Sequence, residues 1–195
     1  MERTQISTKF PIGSSLPKFS LTSTDGQTIG DDYLRGAPVS LVFFSCNHCP
    51  YVKGSEDFLI GVVNEFKKDG IKAVSISSND PVQYPDDSFE KMKQKSKDMG
   101  LPYPYLFDST QEVAKLFDAE CTPECYVFNS QSKLVYHGPV NDSPRDATKV
   151  TKHYLAIAIA QTLQGMKADP AEINSIGCSI KWKIKKNIFN IELIL

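Results

Sequence analysis

The apolar positions along this chain switch repeatedly between the spacing of a strand and that of a helix. Pro38 to Phe44 is a short continuous apolar run rich in β-forming residues, the pattern of a strand buried on both faces. Beyond Pro50, Val52, Leu59, Val62, Val63 and Phe66 recur at helical spacing up to the breaker Asp69-Gly70. Ile71 to Ile76 is a second buried strand, followed by the polar loop Ser77-Ser78-Asn79-Asp80-Pro81. Phe89, Met92, Ser96 and Met99 mark one face of a helix that stops at Gly100, and Tyr103 to Phe107 is a further strand. Ser109 with Glu112 forms a capping-box pattern ahead of a short helix carrying Val113, Ala114, Leu116 and Phe117.

Both ends of this alternating region read as hairpins. Near the start, a strand at Phe19-Ser20-Leu21 and its return at Gln27-Thr28-Ile29 flank the tight-turn pair Asp25-Gly26. Near the end, Cys125 to Phe128 and Leu134 to His137 flank Asn129-Ser130-Gln131-Ser132. Ala147, Val150, Tyr154 and Ile157, widened by Leu155, Ile159 and Leu163, predict a long closing amphipathic helix. Strands alternating with helices imply an α/β sheet, here with an antiparallel edge from the last hairpin.

Composition narrows the class further. At 195 residues one elaborated domain is expected, and 41% hydrophobic with 23% charged residues suits a globular core. A formal charge of −1 offers no general attraction to nucleic acid. No apolar run approaches the roughly 18 residues of a membrane span. The first 20 residues lack the apolar core of a secretory signal, so a reducing cytoplasm is the expected compartment. Five cysteines fit reactive or inert thiols better than a disulfide framework.

Two of those cysteines carry the candidate chemistry. Cys46 and Cys49 sit where the buried strand at 38–44 gives way to the helix that Pro50 opens. Unpaired backbone N–H groups and the positive end of the helix dipole stabilise a thiolate there, and Cys46 is expected to carry it. Such positions lower a cysteine pKa from about 8.5 to roughly 3.5–7.5. Cys49, one turn on, is then placed to close and reopen a disulfide. His48 either tunes Cys46, by donating to its sulfur or placing positive charge beside it, or is a solvated histidine at the helix start. The competing uses of the pair are a zinc site completed by Cys121 and Cys125, and inert buried thiols.

Phe43-Phe44-Ser45-Cys46-Asn47-His48-Cys49-Pro50 after a buried strand, Thr122-Pro123 before a hairpin strand, and the closing helix together resemble the thioredoxin-like superfamily. That resemblance implies a three-layer α/β/α fold with a mixed central sheet. It implies a cis Pro123 beside Cys46, with the Thr122 backbone pairing with an extended substrate segment; the alternative is an ordinary trans proline in a turn. The extra helix at Phe89–Met99 and strand at Tyr103–Phe107 resemble the redoxin branch, which holds AhpC/TSA peroxiredoxins and TlpA-like oxidoreductases. The segments Ser78 to Ser88 and Ile176 to Lys183 are similar to a bacterial subgroup of redoxin-domain proteins. The expected domain spans residues 12–183, with an N-terminal arm at 1–11 and a C-terminal extension at 184–195.

The resemblance is incomplete. Val39 and Phe43 stand where a peroxiredoxin has the Pro and Thr of its peroxidatic motif, so the hydroxyl that orients peroxide is missing at that position. Ser40 stands where thioredoxin keeps a buried carboxylate, leaving Glu56 and Glu124 as candidate proton acceptors for Cys49. Cys121 is a third thiol near the pair or a plain loop residue, and Cys125 is core filler. Cys178 lies in a tail expected to fold back, with Trp182 as its apolar anchor, and an accessory resolving role is open to it. The apolar end Ile188 to Leu195 reads as an edge strand or a partner-binding segment.

The function these residues imply is thiol-disulfide exchange through a Cys46 mixed disulfide that Cys49 resolves. Its partners would be a disulfide-bearing protein or small thiol and an external thiol reductant, with no cofactor and no metal. A peroxidase passing through a Cys46 sulfenic acid, and a non-enzymatic metal or interaction module, are the alternatives.

Overall fold

The structure, a computed structural model, describes residues 9–184. Met1–Thr8 of the expected arm, and the apolar end Ile188 to Leu195, lie outside the described residues. In chain order the elements are β1 (Ser20–Ser23), β2 (Thr28–Gly30), α1 (Asp31–Leu34), β3 (Val39–Phe44), α2 (Pro50–Phe66), β4 (Lys72–Ser77) and α3 (Phe89–Met99). There follow β5 (Tyr105–Phe107), α4 (Glu112–Leu116), β6 (Cys121–Thr122), β7 (Glu124–Asn129), β8 (Leu134–Gly138), α5 (Tyr154–Leu163) and β9 (Cys178–Ser179). The hairpin β1–β2 closes around Gly26, whose φ of 88° suits a residue without a side chain.

Seven strands form one sheet in the order β2-β1-β5-β4-β3-β7-β8. β3, β4 and β5 run parallel, while β7, β8 and the hairpin strand β1 are antiparallel to their neighbours. The expected mixed α/β sheet with flanking helices is therefore the observed one. β3 is buried along its whole length because both sheet faces are covered. Val42 and Phe44 enter a core with Ile76, Phe117 and Phe128, while Leu41 and Phe43 enter the opposite one with Leu59, Val127 and Ile159. Each such side chain contributes about 1.5–3 kcal/mol by leaving water, which is why this stretch tolerates so few polar residues. Phe10, just before the expected boundary at 12, joins the first core with its ring 5.4 Å from that of Phe117.

The inserted unit behaves as the sequence suggests. β5 slots between β4 and β1, and α3 lies over it with Met92 fully buried and Phe89 stacked on Phe107 at 5.5 Å. The two later helices depart from expectation. α4 is not opened by a Ser109–Glu112 box: Gln111, at φ 64°, precedes it, and the buried Asp108 carboxylate takes the Ala114 N–H at 3.0 Å instead. The closing helix begins at Tyr154 rather than Ala147. Residues 147–149 form a separate 3-10 turn, and Asp142 accepts the N–H groups of Thr151 and Lys152, holding the chain out of helix there.

After α5 the chain returns across the sheet end and pairs β9 with β6, Thr122 opposite Cys178. Ile180, 3% exposed, anchors this tail in the first core, whereas the expected anchor Trp182 is 40% exposed. The buried side chain of Gln111 also grips it, donating to Lys181 O at 2.9 Å and accepting from Lys183 N at 2.8 Å. Among the described residues, no helix is long and apolar enough to cross a membrane.

Candidate redox site

β3 delivers Cys46 into the loop at its C-terminal end, and Cys49 is the residue that caps α2, with Pro50 at the first helical position. Both sulfurs are fully buried and hydrogen-bonded to each other, against Val52, Tyr51 and Cys178. The Thr122–Pro123 peptide opposite them is cis. Thr122 meets both cysteines: its Oγ1 shares a 3.5 Å hydrogen bond with Cys46 Sγ, and its carbonyl accepts from Cys49 Sγ at 3.2 Å.

The charge of the pair sits elsewhere than the sequence suggests. Cys46 is expected to be the acidic sulfur, but the helix begins at Pro50, so its N-terminus faces Cys49. Its hydrogen bond to Cys49, burial and the nearby charge of Asp87 all push the Cys46 thiol up. Cys49 is held down to about 4, first by the Cys46 thiol and then by hydrogen bonds from Cys178 and Thr122, against its own burial. Only one of two touching sulfurs can hold a negative charge comfortably, and the hydrogen bonds to Cys49 favour it there, where the protonated thiol instead donates to Thr122 O.

Asp87 is the main residue that the sequence does not reveal. It is fully buried and accepts from Asn47 N at 2.7 Å, His48 N at 3.3 Å and Asn79 Nδ2 at 2.8 Å. Its Oδ2 shares a 2.5 Å hydrogen bond with His48 Nδ1. The His48 ring, weighed from sequence as a donor or positive charge beside the Cys46 sulfur or as a solvated side chain, is turned to Asp87 through Nδ1 and stacked on Tyr84 at 5.2 Å. Asp86-Asp87 reads in sequence as part of a polar loop, because nothing local reports that the second carboxylate is covered by the Cys46–Cys49 loop.

The two candidate proton acceptors are otherwise engaged. Glu56 is paired with Lys95 at 2.5 Å, and Lys95 also donates to Cys46 O at 3.3 Å. Glu124, also fully buried, accepts from Glu120 N at 2.8 Å, Cys121 N at 3.1 Å and His137 Nε2 at 2.7 Å. Its carboxylate therefore organises the proline loop. Cys121 is buried on β6 with its sulfur 3.8 Å from Glu124 Oε2, and Cys125 fills the second core, its thiol pushed up by burial and by Glu124.

Ligating atoms of Cys46, His48 and Asp87 lie within 4.8 Å of one another, and this sulfur, imidazole and carboxylate set suits a zinc-type ion. Zinc bonds of about 2.0–2.1 Å hold neighbouring tetrahedral ligands roughly 3.3 Å apart, so an ion here would have to part the His48–Asp87 hydrogen bond. Cys121 and Cys125 do not join this cluster among the described residues, which removes the four-cysteine set weighed from sequence.

A dithiol between the central strand and its following helix, facing a cis-proline loop on a mixed α/β sheet, defines a thioredoxin-like protein of the redoxin branch. Residues 12–137 match the AhpC/TSA family, and the chain belongs to it. A crystal structure titled as an uncharacterized conserved protein from Geobacillus kaustophilus is 40% identical, with a TM-score of 0.85 over 94% of this chain and 96% of that one. Thiol-disulfide oxidoreductase ResA of Bacillus subtilis is 24% identical over 63% of this chain. A chloroplastic peroxiredoxin Q of Gentiana triflora is 26% identical over 69% of it. The chain spans 64% and 63% of the lengths of these two curated relatives.

Proposed function

We propose that this redoxin is a thiol-disulfide oxidoreductase that alternates between a Cys46/Cys49 dithiol and a Cys46–Cys49 disulfide. The observation that carries this is the pair of mutually hydrogen-bonded sulfurs held against Thr122. In the reduced state the Cys49 thiolate takes the proton of Cys46 as Cys46 attacks a sulfur presented beside Thr122. A mixed disulfide forms, and the departing thiolate takes the proton from Cys49. Cys49 then attacks Cys46, and the substrate leaves as a second thiolate. Two electrons pass from the pair to the substrate disulfide, and an external thiol reductant restores them.

The partners in this proposal are a protein or small-molecule disulfide and that reductant, and the unit is the domain of residues 12–183 together with Phe10. A reducing cytoplasm is the proposed setting, where such a pair works as a reductase. The test is to equilibrate the chain in glutathione buffers of graded potential, alkylate it and map bridges by mass spectrometry. A reversible Cys46–Cys49 bridge, with insulin-disulfide reduction lost in Cys46→Ser and Cys49→Ser, is expected. Folded protein in which both cysteines stay free at every potential would refute it.

Peroxide reduction is a second reading that one observation favours: the Thr122 hydroxyl beside Cys46 supplies a group that Phe43 cannot. Rapid peroxide consumption that vanishes in Cys46→Ser would select it.

A further inference from the structure

Thioredoxin-like proteins are expected to pair an extended substrate segment with the backbone before the cis proline. Here that place is taken by the chain's own tail: β9 lies antiparallel to β6, with Cys178 directly opposite Thr122. The fit is close enough that Gly177 has no room for a side chain, since a Cβ would lie 2.3 Å from Thr122 O. Cys178 packs against the buried pair and hydrogen-bonds to the Cys49 sulfur. It is also the one cysteine of the five that is partly exposed, the other four being buried. An outside sulfur therefore meets Cys178 first, and Cys49 lies between Cys178 and Cys46.

We propose that Cys178 is the exchange thiol through which the buried pair communicates with outside disulfides, by way of a Cys49–Cys178 disulfide. The proposal rests on the Cys46/Cys49 dithiol–disulfide reading above and replaces its first step, direct attack by Cys46, with entry through Cys178. The Cys178 thiol attacks an outside disulfide as the Cys49 thiolate takes its proton, forming one mixed disulfide and releasing one thiolate, which then takes the proton from Cys49. Cys49 attacks the Cys178 sulfur, releasing the second substrate thiolate and forming Cys49–Cys178. Cys46 then attacks Cys49, leaving Cys46–Cys49 and returning Cys178 as a thiolate. The sum is one disulfide reduced and one dithiol oxidised, with protons taken up by the released thiolates.

The electrostatics fit the return direction. Cys178 is pushed up to about 11 by burial and then by its hydrogen bond to Cys49 and the charge there. Oxidation of Cys49 removes the last two causes, so Cys178 becomes more acidic when it must attack the newly formed bridge in the reverse direction.

Two measurements on the full chain test the relay. Oxidised glutathione is applied to wild type and Cys46→Ser, and bridges are mapped after alkylation. A Cys46–Cys49 bridge in wild type and a Cys49–Cys178 bridge in Cys46→Ser are expected. A folded Cys46→Ser that leaves Cys49 and Cys178 alkylatable, beside a bridged wild type, overturns the relay while the dithiol reading stands. A wild type that never bridges Cys46 to Cys49 overturns both. In the second measurement, reduced wild type, Cys178→Ser and Cys178→Ala react with 5,5′-dithiobis(2-nitrobenzoate), with circular dichroism reporting the fold. Both variants are expected to react at least about tenfold more slowly, because only buried sulfurs remain. An equal or faster rate overturns the relay and makes the tail a cover.

Discussion

Gly177→Ala tests the seating of the tail without touching a sulfur. The new methyl group would stand 2.3 Å from Thr122 O and 2.8 Å from Thr122 C, where ordinary contact begins near 3.4 Å. The shortfall to the oxygen is about 1.1 Å. Thr122 has little freedom to retreat, since it joins β6 to β7 in a loop whose N–H groups are held by Glu124. β9 must move instead. Overpacking of this kind typically costs about 1–3 kcal/mol.

Against that stands Ile180, whose burial contributes about 1.5–3 kcal/mol. The two figures are close, so residues 176–179 should lift while Ile180 keeps its place. Cys178 then leaves Cys49, and Cys49 gains a route to water. At about 2–4 °C per kcal/mol for a chain of this size, the melting temperature should fall by roughly 2–12 °C. Iodoacetamide should label Cys49 at least about tenfold faster, read by mass spectrometry of the reduced protein. Gly61→Ala is the control, because a Cβ on that helical glycine meets nothing within 4 Å. A Gly177→Ala protein with the wild-type melting point and wild-type labelling of Cys49 would refute the close approach of β9 to Thr122.

Two further outcomes follow from the charges at the pair. Asp87→Asn should lower the Cys46 pKa, since the Asp87 charge is among the causes raising it, and titration by thiolate absorbance at 240 nm reads the change. Asp87→Ala should in addition destabilise the fold by about 1–3 kcal/mol for each buried donor left without a partner, and an unchanged titration in both variants would contradict the placement of Asp87. In the reduced wild type the 240 nm signal of Cys49 should persist in mild acid and disappear through about pH 4. Because its folded pKa lies below the ordinary thiol value, the stability that this thiolate contributes is present above that value and is lost as pH falls towards 4. The melting-point difference between reduced wild type and reduced Cys49→Ser should shrink over the same range, and a flat difference would count against Cys49 as the charged sulfur.

The parts of the fold legible in sequence are those set by local pattern. β3 shows as an apolar run because both its faces are covered, and α3 shows as a stripe because Met92 alone is fully buried on an otherwise wet helix. The strand–Cys–helix junction was legible for the same reason. What the sequence hid was set by distant partners. Ala147 and Val150 keep helical spacing with Tyr154, but Asp142 captures the N–H groups of Thr151 and Lys152 and breaks the run. Trp182 outweighs Ile180 in size, yet only Ile180 is buried; two residues apart on a continuing strand they would share a face, but the chain has left β9 before either of them. Asp87 reaches the site from a segment far from Cys46, so no spacing rule around the pair reports it, whereas Cys178 is open to an accessory role as a thiol in a tail expected to fold back.

These distant partners act on one loop, and their combined effect explains where the negative charge goes. The turn from β3 into α2 exposes backbone N–H groups at Asn47 and His48, the donors that would otherwise favour an anion at the neighbouring Cys46. Asp87 takes both of them and brings a full negative charge of its own. Lys95 answers from the same inserted unit but spends its charge on Glu56 and the Cys46 carbonyl. Cys46 thus keeps only the Thr122 hydroxyl among the donors described here, while Cys49 collects them from Cys46, Cys178 and Thr122. The inserted unit and the tail together turn a pattern that reads as an acidic, attacking Cys46 into a buried pair whose charged member is the one touching Cys178. A thiolate placed there is suited to exchange with a neighbour inside the protein, and the tail supplies that neighbour.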